Sequence, residues 1–129
     1  MNVKLLRKVA KHILAEPKRL YMTSFIRTKK HSGSIGRPYA KCGTAGCIGG
    51  WACILELKVK DPHEFWQRHD VAGEARRLLE LDYQQEYNLF EPSQWPKQFK
   101  RGTSDDGKKK TAQIAVARIE HFIKTKGKE

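Results

Sequence analysis

The segment that decides the fold is Cys42–Cys53, CGTAGCIGGWAC, which contains all three cysteines of the 129-residue chain and four of its ten glycines. Its spacing predicts a buried helix that is capped by Thr44 and ends near Leu57. The apolar positions of this helix are Cys47, Ile48, Trp51, Ala52, Ile54 and Leu55. Gly49 and Gly50 each disfavour a helix by about 1 kcal/mol relative to alanine. We therefore expect another helix or a ligand to approach them closely.

The amino-terminal part of the chain predicts an amphipathic helix. Asn2 is a suitable N-cap and Pro17 a stop signal. The apolar positions between them, spaced by three and four residues, are Val3, Leu6, Val9, Ala10, Ile13 and Leu14. The apolar residues alternate with lysines, which a signal-peptide core does not do. The sequence therefore predicts a soluble, intracellular protein with no membrane association.

The remainder of the chain also reads as helical. Asp61, Asp70 and Asp82 each provide a start signal for a short helix, and a last helix is predicted over about residues 108–124. The core is predicted to be formed by Leu6, Val9, Ile13, Trp51, Ile54, Leu55, Leu78, Leu79, Ile119, Phe122 and Ile123. The predicted fold is all-α: one compact domain, residues 1–129, of about five to six short helices with little or no sheet.

The chain is basic, and its charge is uneven. The formal net charge is +12, distributed as +11 over residues 1–60, −5 over 61–91 and +6 over 92–129. This pattern predicts a bipolar surface with one side that attracts phosphates or an acidic protein. Solubility alone is the alternative explanation of the charge.

Three basic regions are the candidates for that side of the surface: the first helix, the loop over residues 27–41 and the lysines of the last segment. On the first helix, Lys4, Arg7, Lys8 and Lys11 form a cationic stripe with no acidic residue before Glu16. Residues 27–41 then form a predicted cationic loop rich in glycine, proline and serine. Residues 125–129 are predicted to be a flexible tail.

A phosphate site is predicted where this loop meets the central helix. Gly43 and Thr44 lie directly before the predicted helix start, whose free amides favour an anion, and Arg37 and Lys41 precede them. No Walker motif is present, and tight turning is the alternative role of the glycines. The candidate residues for phosphate or nucleic-acid binding are Lys4, Arg7, Lys8, Lys11, Arg37, Lys41, Gly43 and Thr44.

The cysteines admit two further interpretations. Their spacing, C-x4-C-x5-C, is a poor match to structural zinc sites, so neither a metal nor another cofactor is predicted. Cys47, at a helix start, is a candidate thiol nucleophile, because the helix dipole lowers a thiol pKa. The histidines at positions 12, 63, 69 and 121 are candidate bases, and the sequence does not indicate which of them lies nearby.

Several motifs together carry a resemblance to a known group. They are Ala15–Leu20 (AEPKRL), CGTAGCIGGWA, a later Leu-Phe, Trp95-Pro96 and Ala117–Ile123 (ARIEHFI). The chain resembles a scattered group of small phage and bacterial proteins that share a C-G-T-x-x-C-x-x-G-W core and to which no activity is assigned. The resemblance implies a microbial or phage cytosolic origin and implies no catalytic residue. Gly49 stands where some of these proteins are expected to have alanine.

Three functions are consistent with these observations. The favoured hypothesis is a small basic helical protein that binds nucleic acid or a phosphate-bearing nucleotide in the cytoplasm. The second is a phage-type accessory or counter-defence factor that binds an acidic host protein or sequesters a nucleotide signal. The third is a thiol enzyme centred on Cys47. A binding role is favoured over an enzyme, and the sequence does not determine the oligomeric state.

Overall fold

A computed structural model describes residues 1–29, 42–100 and 108–129. Over these ranges the α-helices are α1 Val3–Ala15, α2 Ile48–Glu56, α3 Pro62–Arg68, α4 Val71–Leu79, α5 Tyr83–Phe90, α6 Lys97–Lys100 and α7 Lys109–Lys124. Single 3-10 turns occur at Pro17–Arg19 and Pro92–Gln94, and two short strands are β1 Ile26–Thr28 and β2 Thr44–Gly46. The all-α prediction is confirmed. The helix that the pattern did not predict is α6, because four residues are too few to show a period.

Side-chain caps start the helices where the sequence predicts them. Asn2 accepts a hydrogen bond from the amide of Leu5, and Asp61, Asp70 and Asp82 cap α3, α4 and α5 in the same way. At α5 the cap is reciprocal, because the side chain of Gln85 accepts from the amide of Asp82. These starts depend on local sequence alone.

The segment Cys42–Cys53 differs from its predicted conformation at its amino end. Thr44 does not cap α2; it lies in β2, which pairs antiparallel with β1, so that Thr28 faces Thr44 and Arg27 faces Ala45. The N-cap of α2 is Cys47. The predicted loop over residues 27–41 is therefore wrong at its start, since Arg27 and Thr28 are in a strand. Residues 30–41 lie outside the described part of the chain.

Gly50 of α2 and Gly46 of β2 are explained by the backbone of another segment. A Cβ atom on Gly50 would lie 1.7 Å from the carbonyl oxygen of Phe25, just before β1. On Gly46 the corresponding distance to the same oxygen is 2.5 Å. The close approach predicted from Gly49 and Gly50 therefore exists: at Gly50 it is made by the Phe25 peptide group, and at Gly49 by the rings of Phe25 and of Phe90 in α5.

The core surrounds α2, which packs against α1, α4, α5 and β2. Seven of the predicted core residues are buried, namely Leu6, Val9, Ile13, Trp51, Leu79, Ile119 and Phe122. Four others are partly buried at the edge of the core, namely Ile54, Leu55, Leu78 and Ile123. Periodicity predicts which side of a helix faces the core, and it does not predict how deeply each position on that side is buried.

Trp51 connects α2 to the end of α1. Its indole Nε1 donates a hydrogen bond to the carbonyl oxygen of Arg19 over 2.7 Å, and the His12 ring packs 4.4 Å from the indole. The Arg19 guanidinium donates to the His12 carbonyl oxygen over 2.8 Å and lies 3.3 Å from His12 Nδ1. Burial, and then the charge of Arg19, lower the pKa of His12 below its usual value.

The pKa of His12 predicts a pH effect on stability. Because the unfolded chain holds the imidazole proton more tightly than the folded chain does, we expect the free energy of unfolding to fall as the pH drops below about 6.5. One such group contributes at most about 1.4 kcal/mol for each pH unit. Denaturant unfolding at a series of pH values checks this. His12→Gln, which does not titrate, should show a shallower fall than the wild type, and identical profiles would contradict the assignment.

The carboxyl-terminal residues 125–129 are anchored, so the predicted flexible tail is wrong. Arg118 of α7 points into the protein and is fully buried, and both of its terminal nitrogens donate to the Glu129 carboxylate over 2.5 and 2.6 Å. The backbone amide of Gly127 also donates to the Phe122 carbonyl oxygen, over 2.8 Å. The tail is ordered because a buried guanidinium requires a counter-ion.

Candidate nucleic-acid interface

Exposed cationic residues of α1 and α7 form a basic surface. The two helices pack against each other. On α1 the stripe predicted from the sequence, Lys4, Arg7, Lys8 and Lys11, is exposed. On α7 the exposed cationic residues are Lys109, Lys110 and Lys124. We call these seven side chains the basic face.

One ion pair links the two helices across this face. Arg7 Nε lies 3.2 Å from Glu120 Oε1, and both side chains are about half exposed. The hydrogen bond to Glu120 raises the pKa of Arg7. The stripe has no acidic partner nearby in the sequence, but Arg7 is paired with Glu120 of α7, which is 113 positions away. Within the described residues, no carboxylate lies within ion-pair distance of Lys4, Lys8 or Lys11.

The three arginines of the acidic segment 61–91 are all paired with glutamates of the same segment. Ion pairs join Arg68 to Glu64 over 3.3 Å and Arg76 to Glu86 over 2.7 Å, and Arg77 pairs with Glu74. The hydrogen bond from Arg77 lowers the pKa of Glu74. None of the three arginines is left to offset the remaining acidic residues of α3 to α5.

The predicted phosphate site at the start of α2 does not have the expected geometry. Thr44 is buried in β2, and Gly43 precedes that strand instead of the helix. The amide of Cys47 already donates to the carbonyl oxygens of Ser24 and Phe25, over 3.1 and 3.3 Å. The Phe25 backbone therefore lies against the start of α2 at Gly50, and the amides of Gly49 and Gly50 act on the Cys47 thiol. The other two predicted residues of this site, Arg37 and Lys41, lie outside the described ranges.

The surroundings of Cys47 disfavour its thiolate form. It is buried, and burial raises its pKa to about 11 although the amides of Gly49 and Gly50 act in the opposite direction. A cavity of about 310 Å³ adjoins it, lined on the far side by Glu86, Tyr87 and Glu91 and, among the described residues, by no histidine. The thiol-enzyme hypothesis stays a prediction, and this environment counts against it because a nucleophile needs the thiolate.

The other two cysteines differ in exposure. Cys53 is buried with a pKa raised to about 12, chiefly by burial, whereas Cys42 is exposed. All three are free thiols. Over the described ranges, no group of three or more histidine, cysteine or acidic side chains is arranged to hold a metal ion.

A second surface feature was not predicted from the sequence. A pocket of about 260 Å³ lies between β1 and α3, and its walls include Tyr21, Arg27, His63 and Trp66. The Arg27 guanidinium lies 4.6 Å from the centre of the Tyr21 ring. The sequence did contain one signal: Phe65 and Trp66 are adjacent on a helix, so both rings cannot face the same core.

Comparison of the chain with family models, curated proteins and solved structures finds no match. The similarity to small phage and bacterial proteins therefore stays a prediction. Within residues 1–29, 42–100 and 108–129, no helix has both the length and the apolar character needed to span a bilayer.

Proposed function

We propose that this protein binds nucleic acid through the basic face. The observation that carries the proposal is the charge of two packed helices: their exposed sides present seven cations, and Glu120 is the one acidic residue within the sequences of α1 and α7. A solvated helix surface ordinarily mixes both signs of charge. An excess of one sign over adjacent helices favours a polyanionic ligand.

The dimensions of α1 suit a nucleic-acid backbone. Lys4 and Lys11 are separated by about 10 Å along the helix axis at 1.5 Å per residue. Duplex DNA presents about six phosphates over that length. Three lysines within this distance, joined by those of α7, supply several phosphate contacts without base readout. The expected binding is therefore electrostatic and largely independent of sequence.

The proposal includes a cytoplasmic site of action in a bacterium or a phage-infected cell. A free nucleotide carries few phosphates and would engage a small part of the basic face, so a polymer is the favoured ligand. An acidic host protein is the remaining candidate for the same surface. Binding assays with nucleic acid separate these ligands directly.

Charge reversal on α1 tests the proposal. Lys8→Glu/Lys11→Glu should weaken binding to a duplex at least about tenfold, because two favourable phosphate contacts become repulsive. For the wild type, log K should fall with log salt concentration by about 0.9 for each phosphate contacted. The double variant should show a shallower slope. Fluorescence anisotropy with labelled DNA and RNA at several salt concentrations measures both quantities.

A matched control has the same change in charge elsewhere. Lys60→Glu/Lys97→Glu replaces two exposed lysines outside α1 and α7, so it should reduce affinity far less. Both double variants should keep their melting temperature, since exposed substitutions rarely change stability by more than about 0.5 kcal/mol. Equal losses in the two variants would show non-specific attraction. No binding by the wild type at low salt would reject nucleic acid and leave the acidic host protein to be tested.

A further inference from the structure

The pocket between β1 and α3 is built for a flat ring. An indole, a phenol and an imidazole, from Trp66, Tyr21 and His63, converge on a volume of about 260 Å³. Arg27 lies at its edge with its guanidinium over the Tyr21 ring. Aromatic rings and a cation around one small pocket are the groups that bind unpaired nucleobases and their phosphates.

The exposure of Trp66 sets it apart from the other two tryptophans. Its exposed fraction is 47%, against 3% for Trp51 and 2% for Trp95. The indole nitrogens of both buried residues donate to backbone carbonyl oxygens, those of Arg19 and Leu89. These two residues therefore have structural roles, whereas much of the Trp66 ring is in contact with solvent and is open to a stacking partner.

We propose that this pocket binds one unpaired nucleobase, stacked on Trp66, with the adjoining phosphate at Arg27. The volume suits a single base with its sugar, and bases within a duplex cannot enter because they are stacked and paired. This proposal rests on nucleic acid or nucleotide being the ligand class of the protein. The pocket shares no residue with the basic face, so the two sites can be tested independently.

Intrinsic fluorescence gives the first test. Because two of the three tryptophans are buried, quenching by a stacked base should report chiefly on Trp66. A short single-stranded oligonucleotide should quench the wild type saturably, and an abasic strand of the same length should not. A free mononucleotide that quenches at similar concentrations would identify the ligand as a nucleotide, and weaker quenching by it would identify a strand. No saturable quenching by either compound would overturn the proposal.

Variants separate stacking from charge. The wild type should bind the base-containing strand at least about tenfold more tightly than the abasic strand, since tenfold corresponds to about 1.4 kcal/mol, within the range of one stacked base. Trp66→Ala should reduce this ratio to nearly one, and Trp66→Phe should retain most of it. Tyr83→Ala, which removes an exposed ring of α5 outside the pocket, should leave the ratio unchanged. Arg27→Gln should weaken the binding of a mononucleotide more than that of its nucleoside.

The same variants show whether the basic-face proposal or the pocket proposal is wrong. If the basic face binds phosphates, Lys8→Glu/Lys11→Glu should weaken binding of the base-containing and abasic strands equally. The ratio of the two affinities should then remain unchanged. If a folded Trp66→Ala variant keeps the wild-type ratio of affinities for the base-containing and abasic strands, the pocket proposal is overturned and the basic-face proposal is unaffected. A ratio that depends on Trp66, with no effect of Lys8→Glu/Lys11→Glu, would support the pocket and reject the basic face.

Discussion

Gly50→Ala is expected to destabilise the protein by more than about 5 kcal/mol, the range of exceptional single substitutions. The added methyl group would lie 1.7 Å from the carbonyl oxygen of Phe25 and 2.7 Å from its carbonyl carbon. Both atoms are backbone, so no side-chain rotation can relieve the overlap. Either α2 must separate from the segment before β1, or the pairing of β1 with β2 must break.

Gly49→Ala is the matched control, one residue earlier on the same helix. Its methyl group would contact ring atoms of Phe25 and Phe90 at 3.1 Å. These are the far ends of side chains that can shift by a few tenths of an ångström, and alanine gains about 1 kcal/mol in helix propensity. We expect a change within about 1 kcal/mol of the wild type.

Denaturant unfolding followed by circular dichroism compares the two variants. The expected outcome is a Gly50→Ala protein that is largely unfolded or insoluble beside a Gly49→Ala protein with near-normal stability. Similar free energies of unfolding for both variants would mean that the Phe25 peptide does not lie against α2. The arrangement of β1 over the first turn of that helix would then be wrong.

Glu129→Gln is expected to cost about 3 to 5 kcal/mol, the range for removing one partner from a buried ion pair. Arg118 is fully buried, and Glu129 accepts hydrogen bonds from both of its terminal nitrogens over 2.5 and 2.6 Å. Burial lowers the pKa of Arg118, and the Glu129 carboxylate opposes that effect. Without the carboxylate, the guanidinium would be left charged among the rings of Trp95, Phe99 and Phe122.

Another glutamate-to-glutamine substitution, Glu120→Gln on α7, provides the control. Glu120→Gln breaks the pair with Arg7, whose side chain is 60% exposed, and should cost less than about 1 kcal/mol because solvent already screens both charges. Arg118→Met/Glu129→Gln should regain much of the stability lost in Glu129→Gln, because an apolar side chain suits the surrounding rings. Free energies of unfolding for the three proteins check this order. Equal effects of Glu120→Gln and Glu129→Gln would show that the Arg118 pair is not buried.

The sequence by itself determined most of the helices and the starting points of α1, α3, α4 and α5. Caps such as Asp61 and Asp82 act within three residues of their own position, and helical periodicity is a property of consecutive residues. The charged stripe of α1 could be predicted for the same reason. Both kinds of information are local, so they can be predicted from the sequence without knowing which elements pack together.

The tertiary structure alone decided what approaches each surface. Glu120 neutralises Arg7 across 113 positions of the chain, and Phe25 reaches Gly50 from a different element. The inward direction of Arg118, which orders the carboxyl-terminal residues, and the pocket around Trp66 likewise depend on neighbours distant in sequence. Such contacts follow from the packing of helices against one another, which local spacing does not encode. The basic face is therefore predictable residue by residue on α1, whereas its joining to α7 and its partial neutralisation are products of the fold.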